Sequence, residues 1–318
     1  MKSNKDHSLD VVAQSKSAYN QWAPQWREHA KAHSKFIIKP MNDFKNIGIG
    51  KAIVSAANGY SLEVGMETLK KYRDNVHILA CDKSLGHLIN HGIFPDYCMV
   101  CDANVNYIKY LKPFEQYLQN TVLFQNACGN PQWTVNGNWK DIYFFINKDV
   151  LHSEHEFAGL SGCKNFIAAG TNVSNAMVVL LTQCDDTIRQ NYFGYDKIIL
   201  LGYDYSWRSD GKYYAYDKDG TGKDKYMKHI YSLAPGGEVL YTSQNLLFSC
   251  EWLGRYIGAF KLPTVQCSRH SLFRQCHVSD LESQIEYQYK PEDSSKVISL
   301  LKTRDDLRAK TKELEKEI

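Results

Sequence analysis

The sequence predicts an α/β protein with a Rossmann-like, mostly parallel sheet that carries helices on both faces. Short apolar runs recur through most of the 318-residue chain, and amphipathic stretches separate them. Short apolar strands that alternate with amphipathic helices are typical of a parallel sheet covered on both faces. Hydrophobic residues make up 43% of the chain and charged residues 23%, which is the balance of a folded globular protein.

The alternation begins after residue 47 and runs for most of the chain. Residues 1–47 are polar and aromatic, and they predict one or two helices ahead of the sheet. The predicted strands are 51–56, 76–81, 96–102, 121–127, 141–147, 165–170, 196–204 and 263–267. The predicted helices between them are "SLEVGMETLKKY", "SLGHLINHG", "NYIKYLKPFEQYLQ", "NVSNAMVVLLTQC" and "SQNLLFSCEWLGRYIGAF".

Two segments depart from this pattern. Residues 206–237 are rich in Gly, Asp, Lys and Tyr, and long irregular segments inside compact domains are commonly functional lids or disordered. The C-terminal stretch predicts a charged helix in which Leu300, Leu307 and Leu314 fall seven apart, a spacing that fits a homo-oligomer seam or one stripe packed on the domain. The predicted organisation is an N-terminal helical extension (1–47), a Rossmann-like domain (48–290) with a lid (206–237), and a C-terminal helix (291–318).

Bulk properties restrict the compartment and the partners. The N-terminal "MKSNKDHSLDVVAQSK" is polar, which argues against a signal peptide, and no stretch approaches the roughly 18 apolar residues of a membrane helix. The nine cysteines are an odd number scattered along the chain, which fits free thiols in a reducing compartment, so we expect a cytoplasmic protein. A net charge of +3 excludes a strongly basic nucleic-acid binder by composition alone, while a local basic patch stays open.

Short polar residues recur where the predicted strands end. Ligands of open parallel sheets bind outside the carboxyl ends of the strands, so we expect these residues to form one site. Asp recurs at three of the five ends, which favours a polar ligand over a set of ordinary turns. The residues are Asn58, Gly59, Ser61, Cys81, Asp82, Cys101, Asp102, Asn104, Gly170, Thr171, Asn172, Gly202, Tyr203 and Asp204.

The end of the first strand is a candidate phosphate site. Asn58-Gly59 allows a close turn, and Ser61 is placed to cap the following helix, whose free N-terminal amides suit a phosphate. A capped helix after a tight turn accounts for the same residues without a ligand. The stretch is neither a Walker loop, which needs G-x-x-x-x-G-K-[ST], nor a G-x-G-x-x-G loop.

Four segments, in order, resemble families of known enzymes. "AIVSAANGYSLE" resembles the "GNGPSL" or "GAGPSL" start shared by bacterial lipooligosaccharide sialyltransferases, motility-accessory-factor glycosyltransferases and MptE-like hydroxymethylpterin diphosphokinases, with Tyr60 in place of the usual Pro. "HGIFPDYCMVCDAN" resembles "HGIKPDFVVSIDP" of the last two groups, and "GTNVSNAMVVLL" with "YDKIILLGYDYSW" resembles their "GSVAHTAL" with "ADPIILIGQDLAF". "GYDYSWRSDGKYYAYD" resembles the sialyltransferase stretch "GIDFYQNGSSYAFD". The order and spacing agree over about residues 50–270.

The resemblance implies a glycosyltransferase-like nucleotide site on a Rossmann-like sheet. The first-strand loop with Asn58, Gly59 and Ser61 would lie against the nucleotide phosphates or ribose. Asp82 and Asp102 stand where the sialyltransferases have Asn side chains that contact the nucleotide. Thr171 and Asn172 occupy a Thr-Ser position beside the nucleotide, and Tyr214 matches a tyrosine that steadies the donor phosphate.

The sequence departs from the sialyltransferase pattern at two positions. The second phosphate-binding tyrosine position holds Ser206, although Tyr205 and Tyr213 are close by. The sialyltransferase "HSKN", whose His is the general base, aligns with "TSQN", and Thr242 cannot act as that base near neutral pH. His229 in the preceding loop is a substitute candidate, and an exposed loop histidine without a catalytic role is the alternative.

Glycosyl transfer needs a base near the acceptor hydroxyl and stabilisation of the leaving phosphate. Asp204 ends a central strand and is the leading catalytic candidate, as a base or as a residue that orients the ligand; capping the following loop is its alternative role. Asp102 and Asn104 follow a strand, which is a better place for Mg²⁺ or Mn²⁺ than the D-x-D formed by Asp217 and Asp219 in the lid. Further candidates for stacking are Trp133 and Trp139, which lie in a stretch predicted to be a loop, and Trp207; further candidates for charge are Arg208, Lys212, Lys223 and Lys225.

The sequence thus favours a nucleotide-sugar-dependent glycosyltransferase, because the lid matches glycosyltransferases and aromatic residues are abundant. The acceptor stays open among a hydroxymethylated base in DNA, a protein and a glycan. One alternative is an ATP-dependent hydroxymethylpterin-type diphosphokinase, which would share the fold and the nucleotide site. The other is a non-catalytic nucleotide-binding assembly protein, since no general base is obvious.

Overall fold

Within the described part of the chain, nine parallel strands form the main sheet and three antiparallel strands form a separate one. The computed structural model describes residues 4–168, 170–182, 192–208, 210–216, 230–233, 239–268 and 270–286. The strands are β1 (Ala52–Ala56), β2 (His77–Cys81), β3 (Tyr97–Val100), β4 (Val122–Asn126), β5 (Asp141–Lys148), β6 (Phe166–Ala168), β7 (Lys197–Leu201), β8 (Trp207–Arg208), β9 (Ile230–Leu233), β10 (Val239–Thr242), β11 (Thr264–Gln266) and β12 (His277–Val278).

Helices follow most strands, as the predicted alternation requires. They are α1 (Asn4–His33), α2 (Tyr60–Lys71), α3 (Asp82–Asn90), α4 (Tyr107–Tyr110), α5 (Gln132–Asn136), α6 (Glu154–Ser161), α7 (Val173–Thr182), α8 (Gln244–Phe260) and α9 (Leu281–Glu286). Short 3₁₀ helices cover Met41–Phe44, Arg73–Asn75 and Lys112–Tyr117. None of the helices in the described ranges is long and apolar enough to cross a membrane.

Apolar residues on both faces of the strands build two large cores, and a smaller third core in the described part of the chain lies between α1, β5 and α6. Ile53 and Leu79 belong to a core that includes α7, while Val54 and Ile78 belong to a second core with Leu62 of α2. Neighbouring strand residues point to opposite faces, so apolar side chains at consecutive positions require cover on both sides. The predicted α/β fold with a covered parallel sheet is therefore confirmed.

The strand order creates a switch point at β1. The main sheet runs β12-β11-β7-β1-β2-β3-β4-β5-β6, so the chain adds strands on one side of β1 and then returns to its other side with β7. Residues 52–56 of β1 pair in parallel with residues 197–201 of β7. Crevices at such a point, outside the carboxyl ends of the strands, are where open α/β sheets bind ligands.

The structure departs from the sequence predictions in three places. The stretch around Trp133 was expected to be a loop, but it contains α5, and Trp133 is fully buried beneath Trp139, whose indole Nε1 donates to the Trp133 carbonyl at 2.7 Å. Burial therefore prevents Trp133 from stacking on a ligand, while Trp139 is only half-buried. The described part of the predicted lid contributes β8 and β9, which pair with β10 in the antiparallel sheet. Strand β12 had no apolar run to signal it, and the predicted C-terminal helix (291–318) lies outside the described residues.

Candidate functional site

A cavity of about 670 Å³ opens where the strands around the switch point end. This size falls in the range of small-molecule and cofactor sites. It contains most of the residues that the sequence placed at strand ends. The predicted site residues that line it are Asn58, Gly59, Asp82, Asp102, Thr171, Asn172, Asp204, Tyr205 and Tyr214. Ser61 is buried but does not line the cavity, and His229, Asp217 and Asp219 lie outside the described residues.

Two glycines allow β1 and β7 to continue their pairing into the cavity wall. The amide of Gly59 donates to the carbonyl oxygen of Gly202 at 3.0 Å, and Gly202 has a left-handed φ of +78°. A Cβ on Gly59 would lie 2.4 Å from that carbonyl oxygen and 2.6 Å from Asp204 Oδ2. Position 59 must therefore be glycine for the two strand ends to approach each other this closely.

Asp204 caps the helix that Ser61 was expected to cap. The Ser61 amide donates to Asp204 Oδ2 at 2.7 Å, while the buried Ser61 hydroxyl has no hydrogen-bond partner in the described part of the chain. A carboxylate at a helix N-terminus is stabilised by the helix dipole, although burial raises the pKa of Asp204. The amides of Gly59 and Ser61 thus already donate to Gly202 and Asp204, and a contact of this loop with a phosphate stays a prediction. Whether Asp204 is also catalytic stays a prediction.

Asp82 is a buried carboxyl group in the cavity wall. It is 2% exposed at the start of α3, and its Oδ1 accepts the amide of Lys83 at 2.7 Å. Burial raises the pKa of Asp82 to about 6, although the neighbouring Lys83 charge opposes this shift. The group therefore ionises close to neutral pH and at a cost in folding free energy.

A lysine and a tyrosine form the cationic side of the cavity. Among the described residues that line it, Lys83 is the single basic one. Its Nζ lies 3.3 Å from the Tyr214 hydroxyl and 4.9 Å from the centre of that ring. Backbone contacts hold the tyrosine in place, because Tyr214 bridges to Gly59 and the Ala215 amide donates to the Asn58 carbonyl at 3.0 Å.

The turn between β6 and α7 presents backbone rather than free side chains. Thr171 has a left-handed φ of +61°, and its Oγ1 lies 2.9 Å from the Ser249 hydroxyl. Asn172 Oδ1 accepts the Asn175 amide at 2.9 Å and so caps α7. Tyr205, also left-handed at +54°, donates its hydroxyl to Asn175 Oδ1 at 2.5 Å. Strained backbone of this kind is commonly concentrated at functional sites.

Asp102 is the exposed carboxylate of the cavity. Its Oδ1 accepts the Asn104 amide at 2.8 Å. It also lines a second compartment of about 240 Å³, so it stands at the junction between the two spaces. The described ranges hold no group of three His, Cys, Asp or Glu arranged for a metal ion. A divalent cation at Asp102 would therefore need further ligands from a bound phosphate.

Some predicted candidates lie away from the cavity. Trp207 is buried and stacks on Tyr213 at 4.6 Å between ring centres, so its face is already covered. Arg208 and Lys212 approach the Tyr60 ring, at 4.1 and 5.6 Å from its centre, and neither lines the cavity. Lys223 and Lys225 lie outside the described residues.

The sequence did not predict that α1 would contribute to the site. Ala18 and Trp26 of α1 line the cavity, as does Asn147 at the end of β5. The sequence contained only a weak indication that α1 lines the cavity, namely aromatic residues within a polar helical stretch. A helix outside the βα alternation gives no indication of where it docks.

Comparisons with known proteins agree with this architecture. A family model described as "6-hydroxymethylpterin diphosphokinase MptE-like" matches residues 27–210. No curated protein sequence matches significantly. A solved structure of the MAf glycosyltransferase from Magnetospirillum magneticum AMB-1 is similar with a TM-score of 0.54 and 16% identity, covering 92% of this chain and 45% of that one. The chain thus spans less than half of that protein, and at this identity the likeness establishes the fold alone.

Proposed function

This chain belongs to the MptE-like family, and we propose that it is a glycosyltransferase that transfers a sugar from a nucleotide-sugar donor to an acceptor hydroxyl. One observation carries the proposal. The cavity at the switch point has a cationic side, formed by Lys83 and Tyr214, and an exposed carboxylate, Asp102, on its lining. Sugar transfer needs both features, because a phosphate leaves with negative charge while a hydroxyl must lose its proton.

We assign the leaving phosphate to the Lys83 and Tyr214 side. A lysine ammonium and a phenol hydroxyl both donate hydrogen bonds to phosphate oxygens, and charge-assisted bonds of this kind are the strong ones. This side is the better anchor for the phosphate, because the Gly59 and Ser61 amides at the start of α2 already donate to Gly202 and Asp204. The buried Oδ1 of Asn58, which has no hydrogen-bond partner among the described residues, is a further polar atom for the donor in the same wall.

We assign the proton transfer to Asp102 rather than to Asp204. In the reaction, the acceptor oxygen forms a bond to the anomeric carbon of the donor sugar, and the bond from that carbon to the phosphate oxygen breaks. The bonding electron pair leaves with the nucleotide, and the acceptor proton passes to the Asp102 carboxylate. Asp204 holds the α2 N-terminus through Ser61 and so positions the cavity wall. Where Mg²⁺ or Mn²⁺ takes part, Asp102 with the donor phosphates would hold it, and the ion would supply neutralising charge.

The family description favours a second candidate, an ATP-dependent hydroxymethylpterin diphosphokinase. Both activities use a nucleotide on the same sheet, so the nucleotide that binds is the discriminating property. A non-catalytic nucleotide-binding assembly protein would bind a nucleotide without turnover.

The test is a thermal-shift panel of UDP-, GDP- and CMP-sugars and ATP, each with Mg²⁺ and with EDTA. We expect one nucleotide sugar to stabilise the chain, by about 2.7 kcal/mol at a concentration of one hundred times its Kd. Chromatography should then show slow release of the free nucleotide. Stabilisation by ATP alone, with conversion of a pterin alcohol to its diphosphate, would establish the kinase instead. Binding without turnover of any donor would leave the assembly protein.

A further inference from the structure

A second compartment of about 240 Å³ adjoins the main cavity on the side away from Lys83. The two spaces share Trp26, Cys101, Asp102 and Asn147 in their walls. The remaining wall of the second compartment comes from the ends of β4 and β5 and from α6, including Asn126, Asp149, Ser153 and Phe157. It is smaller than the roughly 300–1,000 Å³ of a complete drug-sized site, so its size suits a single ring.

The walls of this compartment select an uncharged ligand. No Lys, Arg or His is among its described lining residues, whereas two carboxylates, Asp102 and Asp149, are. Two carboxylates without a cation disfavour phosphates and other anions. Asp149 is already engaged, because its Oδ1 accepts the Leu151 amide at 2.7 Å and its Oδ2 accepts the Ser153 hydroxyl at 2.5 Å.

One polar side-chain atom in the wall lacks a hydrogen-bond partner in the part of the chain that the structure describes. Asn147 Oδ1 is buried and accepts no hydrogen bond from the described residues. A buried carbonyl oxygen without a donor is costly, and the cost is removed when a ligand hydroxyl or amide donates to it. Asn147 lies at the boundary between the two spaces, so a hydroxyl bound there would be close to the donor side.

Trp26 is held in the wall by packing and by a salt-bridged neighbour. Its ring contacts Phe157 edge-to-face at 6.0 Å and Tyr19 at 6.5 Å between centres. The next residue, Arg27, pairs with Glu156 of α6 at 2.5 Å, which fastens α1 to α6. A fixed aromatic ring beside amide and hydroxyl groups provides apolar contact and hydrogen bonds together, as the apolar face and hydroxyls of a sugar require.

We propose that this compartment binds the acceptor, and that the acceptor presents one neutral sugar ring with a hydroxyl directed to Asp102. The inference rests on the proposed glycosyl transfer, since it places the acceptor beside the donor cavity. The compartment favours a glycan over a nucleic acid, because its carboxylates would repel the phosphates of the nucleic acid. It also favours a glycan over a peptide hydroxyl, because a peptide side chain would leave the ring-sized space unfilled.

The test uses saturation-transfer NMR on the full chain with neutral methyl glycosides of glucose, galactose and N-acetylglucosamine. We expect at least one glycoside to bind, and Trp26→Ala and Asn147→Ala each to weaken that binding about tenfold or more. Trp22→Ala is the matched control, because Trp22 lies on the same helix, is 36% exposed and lines neither space; it should bind like the parent. Asn147→Ala removes an oxygen that accepts no hydrogen bond within the described ranges, so it tests the site without the risk that truncating Trp26 releases α1.

Three outcomes would overturn the inference. They are the absence of binding by every neutral glycoside, unchanged binding in both site variants, and preferential binding of a hydroxymethylated oligonucleotide or a serine peptide. The nucleotide-sugar panel is scored separately. A nucleotide sugar that binds and hydrolyses without any glycoside bound would refute the acceptor site alone. A panel without any nucleotide-sugar binding would refute the proposed function.

Discussion

Replacing Asp82 with Asn should stabilise the protein, and the gain should depend on pH. Burial raises the pKa of Asp82 from 3.8 to about 6 in the folded chain. Between these values the folded chain binds more protons than the unfolded chain, so the stability of the parent falls as pH rises through this window. A difference of about two pKa units corresponds to about 3 kcal/mol when the carboxyl is fully ionised. Asn carries no charge and therefore avoids this loss.

The measurement is urea unfolding of the parent and Asp82→Asn from pH 5 to pH 8. The stability difference in favour of the variant should grow by about 1 kcal/mol across this range, with most of the change below pH 7. The amide oxygen of Asn can still accept the Lys83 amide, so the α3 start is preserved. A difference that stays constant with pH, or a variant that is less stable at pH 8, would show that the buried carboxyl does not carry this penalty. Its retention at such a cost would be expected of a group that serves the ligand.

Gly59→Ala should lose about 2–4 kcal/mol in urea unfolding because its Cβ would meet the opposing strand end, whereas Gly159→Ala, where nothing lies within 4 Å, should be neutral or gain about 0.5–1 kcal/mol. Equal effects of the two changes would contradict the close approach. Lys83→Met should weaken nucleotide-sugar binding about tenfold in calorimetry and reduce its salt dependence; unchanged affinity would place the phosphate elsewhere. Asp102→Asn should lower turnover about 100-fold or more in steady-state kinetics, with donor affinity retained. Asp204→Asn should keep most of the turnover, because the amide oxygen of Asn still accepts the Ser61 amide. The reverse pattern would make Asp204 the base.

The sequence pattern predicted the position of the candidate site but not the hydrogen bonds within it. Asp82, Asp102 and Asp204 were placed at one edge of the sheet because each follows an apolar run, and parallel strands bring their carboxyl ends together. The pattern carried no information about which of these carboxylates would be occupied. Asp204 accepts the amide of Ser61, 143 positions earlier in the chain, and this pairing requires β7 to lie next to β1.

The environments of two tryptophans, Trp133 and Trp26, could not be predicted from the sequence. The stretch around Trp133 reads as a loop, because Asn, Pro and Gly interrupt it, yet the ring fills the core beneath the sheet. Trp26 lies in an N-terminal stretch without a counterpart in the alternation, yet it reaches the cavity wall. Burial of an aromatic ring depends on which surfaces meet, and composition within a short window does not report that.

By itself the sequence determined the parallel sheet, the helices that cover it and the edge at which polar residues gather. These features follow from local periodicity, because side-chain direction repeats every two residues in strands and every three to four in helices. Only the tertiary structure decided which polar atoms remain free for a ligand. Oδ2 of Asp204 accepts an amide of α2, Asp102 stays exposed, and α1 supplies Trp26 to a second compartment. Each of these outcomes depends on a contact between segments far apart in the chain, which the crossover at β1 and the docking of α1 establish.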